Sequence, residues 1–186
     1  MNYCSDCGQP VSLKIPADDT RERFVCNSCG TIHYENPRNV VGTVPVWENK
    51  ILLCRRAIEP RKNYWTLPAG FLEIGESTSA GAVRETEEEA GAKVKVGALF
   101  SVINVIHVGQ VHMFYLAKMT SAHFEAGIES LEVALFDEKD IPWDELAFPT
   151  VKKTLKWFFE DRANGLFDKD PLFLAHHHDF EPLHAK

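Results

Sequence analysis

Apolar residues recur along this chain at two spacings, and the spacings predict different elements. Residues 40–47 form an apolar, β-rich run interrupted by Pro45. Glu48-Asn49 supplies turn chemistry, and residues 50–54 read as a second apolar strand. Residues 65–67 make a short third run, and Lys93-Val94-Lys95-Val96 alternates at period two. Two more strands, 99–106 and 111–117, lie around Gly109-Gln110, and 131–136 is another candidate. Over 150–161 the period becomes that of a helix: Val151, Leu155, Phe158 and Phe159 share one face, and Asn164-Gly165 stops it. An earlier helix of about three turns is bounded by N-cap candidates at 77–79 and by Gly91. No internal repeat and no low-complexity linker is visible.

The earlier helix is acidic on one side. At about 100° per residue, Glu85, Glu88 and Glu89 fall within an arc of about 100°. Val83, Thr86 and Ala90 form the packing side, and Glu87 points away from the stripe. Like charges at i,i+3 and i,i+4 oppose a helix by a few tenths of a kcal/mol per pair. A hard divalent cation with oxygen ligands is one reason to collect them; a solvated charged face beside Arg84 is the other.

Composition adds bounds. The 186 residues are 45% apolar and 25% charged, which excludes collagen-like and disordered classes. No apolar run approaches the length of a membrane span, and no secretory signal opens the chain, so the cytosol is the expected compartment. The net charge of −7 argues against sequence-blind nucleic-acid binding. Residues 73–89 alone carry −5, leaving −2 for the other 169. The excess acid is concentrated in one stretch, which favours a cation as its immediate partner.

Four of the five cysteines form two CxxC pairs, Cys4/Cys7 and Cys26/Cys29, separated by 18 residues and each followed by a glycine. That is the spacing of a closed four-thiolate zinc site with no open position for catalysis. Residues 1–36 carry a net −2, which favours a scaffolding or dimerisation role over nucleic-acid reading. Cys54 reads as a small buried core residue. Asn36-Pro37-Arg38-Asn39 marks a boundary. The expected organisation is a zinc ribbon at 1–36, a main domain at 37–166 and a tail at 167–186 in which His176-His177-His178 is solvated.

The chemistry-bearing segment reads GFLEIGESTSAGAVRETEEEAGA over residues 70–92. Gly70, Glu76, Arg84, Glu85, Glu88, Glu89 and Gly91 stand at the fixed offsets of a box in which this sequence resembles the Nudix hydrolases. Only Thr86 and Ala92, at positions usually aliphatic, are looser matches. The resemblance implies an α/β/α sandwich around a mixed sheet, an α/β (α+β) fold. It implies hydrolysis of a nucleoside diphosphate linked to another group, with Mg²⁺ or Mn²⁺ on Glu85, Glu88, Glu89 and the Gly70 carbonyl, and Arg84 orienting the glutamates. Glu76 would support the loop, Glu73 is an extra carboxylate near the metal end, and Glu129 or Glu132 could come in from outside the box.

A zinc ribbon joined to this box is found in NADH pyrophosphatases, but their SQPWPFP-type motif is missing from ALFSVINVI at 98–106. That weighs against NADH and against NAD-cap removal from RNA. The stretch from Cys4 to about Gly165 is more similar to plant FAD pyrophosphatases, through LLCRR at 52–56, WTLPAGFLE at 65–73 and ESLE at 129–132. FAD, giving FMN and AMP, and ADP-ribose, sharing the ADP half, are the expected substrates, and a homodimer is the family expectation. A dinucleotide site wants cations for diphosphate and flat surfaces for rings. Arg55 and Arg56 are the cation candidates, of which alternation lets only one reach phosphate, and Tyr64, Trp65 and Phe71 are the ring candidates. His107 and His112 read as surface residues. A silent ligand sensor and a nucleic-acid-binding ribbon protein are the rival classes.

Overall fold

The computed structural model describes residues 1–168 and 176–180. Its contacts divide the chain into two compact units, residues 1–37 and 38–186. In the first, strands β1 (Val11–Lys14), β2 (Arg23–Cys26) and β3 (Ile32–His33) make an antiparallel sheet in that order. The two CxxC knuckles flank it. Gly8 and Gly30 donate their amides to the carbonyls of Cys4 (2.9 Å) and Cys26 (3.2 Å), closing each knuckle.

The second unit contains β4 (Arg38–Trp47), β5 (Lys50–Arg56), β6 (Trp65–Thr66), β7 (Ala69–Phe71), α1 (Thr78–Ala90), β8 (Val94–Val105), β9 (Gln110–Met119), β10 (Ser130–Phe136), α2 (Pro149–Ala163) and β11 (His176–Phe180). The sheet runs β10-β5-β4-β9-β8-β11, with β6 on β5 and β7 on β4. It is mixed: β4 lies parallel to β9 and β11 to β8, and the other pairs are antiparallel. Alternation along β5 sends successive side chains to opposite faces. Ile51 and Leu53 pack into a core with Leu155, Phe158 and Phe159 of α2, while Leu52 and Cys54 pack with Ala90, at the end of α1, and Met119. This is the expected sandwich. Burying each such side chain is worth about 1.5–3 kcal/mol, which outweighs the like-charge repulsion within α1.

Both helices stop where their sequences predict, α1 at Gly91 and α2 at Asn164. Ser77 caps α1 by accepting from the Ala80 amide (3.2 Å), and Gly91 closes it in a left-handed conformation with its amide on the Glu87 carbonyl (2.9 Å). Pro149 opens α2, where no amide donor is needed.

The strands depart from the pattern in three places. Pro45 does not interrupt β4. The Thr43 amide points to the Pro68 carbonyl (3.2 Å), so the missing donor of Pro45, two residues on, falls on the same side. That side is vacant between the rungs to β7 and those to β5, where no ladder bond is lost. The two strands expected from 93 to 106 are one, β8, bent by register shifts on either side of Leu99. Finally, β11 corrects the expectation of a solvated tail at the three histidines. His176 stacks on Trp157 (4.7 Å between ring centres, 10° between planes), and its Nε2 lies 2.7 Å from Asp161 Oδ2. Residues 169–175 and 181–186 of the expected tail lie outside the described residues.

Candidate active site

Helix α1 turns its carboxylates partly inward. Glu85 and Glu89 are 9% and 6% exposed, on the same side as Ala82, Thr86 and Ala90, while Glu87 and Glu88 are exposed and Val83 is only half-buried. The acidic arc and the packing face therefore overlap, a correction to the separation expected from the helical wheel. Space for this comes from β7. A Cβ on Gly70 would overlap the Glu85 carboxylate, so only glycine lets the strand backbone approach so closely. The Ala69 amide donates to Glu89 Oε2 at 3.0 Å.

Arg84 organises the exposed edge. Its guanidinium donates to Glu76 Oε1 (2.7 Å) and Oε2 (3.1 Å), Glu85 Oε1 (2.7 Å), Glu88 Oε2 (2.9 Å) and the Phe71 carbonyl (3.1 Å). One cation thus holds three carboxylates and the strand that carries Gly70. Those hydrogen bonds hold Glu76 down at about 2 and raise Arg84 above its ordinary range. Burial acts the other way on the inner pair. It pushes Glu89 up to about 8, with the Glu85 charge adding to the rise, and it raises Glu85 against the pull of Arg84. The charge of Glu129 reaches both carboxylates, and that of Arg56 reaches Glu89.

The outer candidates separate. Arg56 rests over the Phe148 ring (5.1 Å) and donates through Nε to the Pro60 carbonyl (2.8 Å). Arg55 is turned to Glu132 (3.5 Å) and to the Asn63 carbonyl (3.1 Å), so Arg55 and Glu132 pair with each other. Trp65 is 7% exposed and packs edge-on against Phe136 (4.9 Å), making it a core residue and not a stacking surface. Phe71 is 47% exposed beside Gly70, and Tyr64 is exposed too. Glu73 is exposed, and its amide donates to Glu76 Oε1 (2.8 Å). His107 is exposed, but His112 is not the surface residue expected. It bonds to Thr150 Oγ1 (3.1 Å) and Gln110 Oε1 (2.9 Å), and burial lowers it to about 4.

Sequence reasoning missed Arg38, whose guanidinium lies 5.2 Å from the Phe71 ring centre. No local signal marks it, because the two residues meet only through the pairing of β4 with β7.

In the N-terminal unit, the Sγ atoms of Cys4, Cys7, Cys26 and Cys29 all lie within 4.8 Å of one another, with pairs at 3.4, 3.5 and 3.8 Å. Sulfurs about 3.8 Å apart are what a tetrahedral zinc with bonds of about 2.3 Å requires. Among the described residues these thiols are the one group of metal-ligating side chains already converged. Glu85 and Glu88 share one nitrogen of the Arg84 guanidinium, and Glu89 accepts from the Ala69 amide.

The fold is a mixed-sheet sandwich whose first helix carries a cluster of carboxylates, and comparison with known proteins makes it a Nudix hydrolase. The chain belongs to the Nudix family: residues 36–162 match the NUDIX domain, and residues 2–35 match the zinc ribbon described as Nudix N-terminal. It is 31% identical over 133 residues to the ADP-ribose pyrophosphatase of Methanocaldococcus jannaschii, covering 67% of this chain and 76% of that protein. It is 30% identical over 136 residues to the NAD-capped RNA hydrolase NudC of Photobacterium profundum, covering 73% of this chain but only 49% of that one. Among solved structures it resembles a NUDIX hydrolase from Nitrosomonas europaea, with a TM-score of 0.91 and 46% identity over 98% of this chain and all of the other. No helix among the described residues is long and apolar enough to cross a membrane.

Proposed function

We propose that the protein is a divalent-metal-dependent pyrophosphatase that cleaves the diphosphate of an ADP-linked substrate, ADP-ribose or FAD, releasing AMP. The observation that carries this is the burial of Glu85 and Glu89 against the Gly70 backbone, with Glu88 at the exposed edge of the same helix. Two carboxylates whose proton affinity is raised by burial, with the Glu85 charge adding to the rise at Glu89, form an all-oxygen donor set fitted to a hard cation. Glu85, Glu88, Glu89 and the Gly70 carbonyl would hold Mg²⁺ or Mn²⁺. A metal bound there supplies charge neutralisation for the diphosphate and a more acidic water. Arg84 holds Glu85 and Glu88 in place, and Arg56 offers a cation to the diphosphate. Glu129 is the carboxylate from outside the helix available to take the proton of the attacking water.

ADP-ribose is supported by the activity named for the archaeal relative, and FAD by the stretches at 52–56 and 65–73. NADH and NAD-capped RNA rank lower because 98–106 lacks the matching motif, although NudC is a relative. Retention of every box carboxylate favours an enzyme over a silent sensor. The four cysteines would hold a structural Zn²⁺, which agrees with a reducing, cytosolic setting. A homodimer is expected, and light scattering in solution tests it.

The deciding experiment incubates the protein with Mg²⁺ or Mn²⁺ and ADP-ribose, FAD, NADH or NAD-capped RNA, with products identified by mass. AMP from ADP-ribose or FAD supports the reading; no release from any of the four overturns it. Glu88→Gln should lose at least about 100-fold in kcat with an unchanged melting temperature, since Glu88 is exposed.

A further inference from the structure

The last turn of α1 is covered by the segment that carries Glu129. A helix leaves its final carbonyls without partners of its own. Here two of them are met from the connection between β9 and β10: the Glu125 amide donates to the Ala90 carbonyl (2.8 Å) and the Gly127 amide to the Glu89 carbonyl (3.1 Å). A glycine stands on each side of this contact. A Cβ on Gly91 would meet the Glu125 backbone at 3.0 Å, and one on Gly127 would lie 1.8 Å from the Glu88 carbonyl oxygen. Both ends of the segment are anchored as well. Phe124 packs against the buried cluster that contains Ala90 and Met119. The Ser130 amide donates to the Gly127 carbonyl (3.0 Å), and the Glu129 carbonyl accepts from the Ala57 amide, just beyond β5 (2.8 Å). Glu129 itself is exposed, yet its charge is felt at Glu85 and at Glu89. Residues 124–129 thus form a seated arm that joins the end of the acidic helix to a carboxylate outside it.

Resting on the pyrophosphatase reading, we infer that Gly127 is a positioning residue: its missing side chain lets the arm seat on the last turn of α1 and so sets the place of Glu129 relative to Glu85 and Glu89. Any side chain at 127 has to push the arm away from the Glu88 carbonyl by about 1 Å or more, and a displacement of about 1 Å at a reacting group can cost about 100-fold in rate. Gly127 offers no group to the substrate. It acts through Glu129, the carboxylate that takes the proton of the attacking water. Glu125 contributes its backbone amide, so its exposed side chain is free to change.

The test uses the full-length protein with Mn²⁺ and the substrate that wild type cleaves. Gly127→Ala should lose about 100-fold in kcat with KM within about threefold. Combined with Glu129→Gln it should be no slower than Glu129→Gln alone, because the glycine acts through that carboxylate. Glu125→Pro deletes the seating amide without crowding α1 and should repeat the kcat loss, whereas Glu125→Ala keeps the amide and should stay within about twofold of wild type. Mn²⁺ affinity by calorimetry should be the same for Gly127→Ala and wild type. Hydrogen exchange followed by NMR should find the Glu125 and Gly127 amides protected in wild type and freed in Gly127→Ala, with the interior of α1 protected in both, which also establishes that the variant is folded. Losses that multiply in the double variant, a Mn²⁺ affinity that falls along with kcat, Gly127→Ala or Glu125→Pro as active as wild type, or wild-type amides at 125 and 127 that exchange freely would each overturn the positioning role and leave the pyrophosphatase reading standing. A wild type that protects both amides yet cleaves no dinucleotide defeats the pyrophosphatase reading, and the positioning role falls with it.

Discussion

Gly70 and Glu85 occupy each other's space: a side chain on the first would overlap the carboxylate of the second. The strand backbone and the buried carboxylate are thus fitted to one another across a sequence separation of fifteen residues. Gly70→Ala must displace the Glu85 carboxylate. With Mg²⁺ and the substrate that wild type cleaves, kcat should fall by about 100-fold, equivalent to about 2.7 kcal/mol on the barrier. Retained activity would show that Glu85 is not needed where it stands.

Thr86 occupies a position where the box usually carries an aliphatic residue, and the structure supplies a reason. Its hydroxyl, fully buried, bonds to the Ala82 carbonyl and to Thr43 Oγ1, each at 2.7 Å. Thr86→Val strands the buried Thr43 hydroxyl and should cost about 1–3 kcal/mol in denaturant unfolding. Adding Thr43→Val replaces both partners by apolar groups and should recover most of that loss. A double variant as unstable as the sum of the singles would mean that the two hydroxyls do not act as a pair.

Burial holds His112 at about 4, below its ordinary 6.5, so the folded protein carries it neutral. The unfolded chain takes up that proton as pH falls below about 6.5. The stability is fully present above that pH and is lost between about 6.5 and 4, at up to about 1.4 kcal/mol per unit. His112→Gln removes this dependence. Comparing melts at pH 7 and pH 5, wild type should drop further than the variant, and equal drops would show that His112 is not the linked group.

The sulfur spacings in the N-terminal unit predict one zinc per chain. Elemental analysis should find it, and Cys26→Ser should reduce it to a small fraction. Because such sites fold only with metal, protease cleavage in the variant should concentrate within residues 1–37 and spare residues 38–168. A full zinc content in Cys26→Ser would remove that cysteine from the ligand set.

The sequence alone determined what is local. The CxxC spacing, the Ser77 and Gly91 ends of α1, the apolar face of α2 and the three glutamates on one arc are relations within a few turns or one knuckle, where covalent geometry dictates the outcome. Tertiary structure decided which arc is covered and who meets whom. Helical spacing gives the angle between Glu85, Glu88 and Glu89, but only the approach of β7 buries the first and the last and leaves Glu88 outside. The same holds for Trp65, drawn into the core by Phe136; for Arg55 and Arg56, parted to Glu132 and to the Phe148 ring; and for Arg38, brought to Phe71 by strand pairing. The histidine tail became an edge strand because β8 offered unpaired backbone and Trp157 a ring to stack on. In each case the partners are separated by about fifteen residues or more, and burial and charge pairing act between them through space, which periodicity along a chain does not encode.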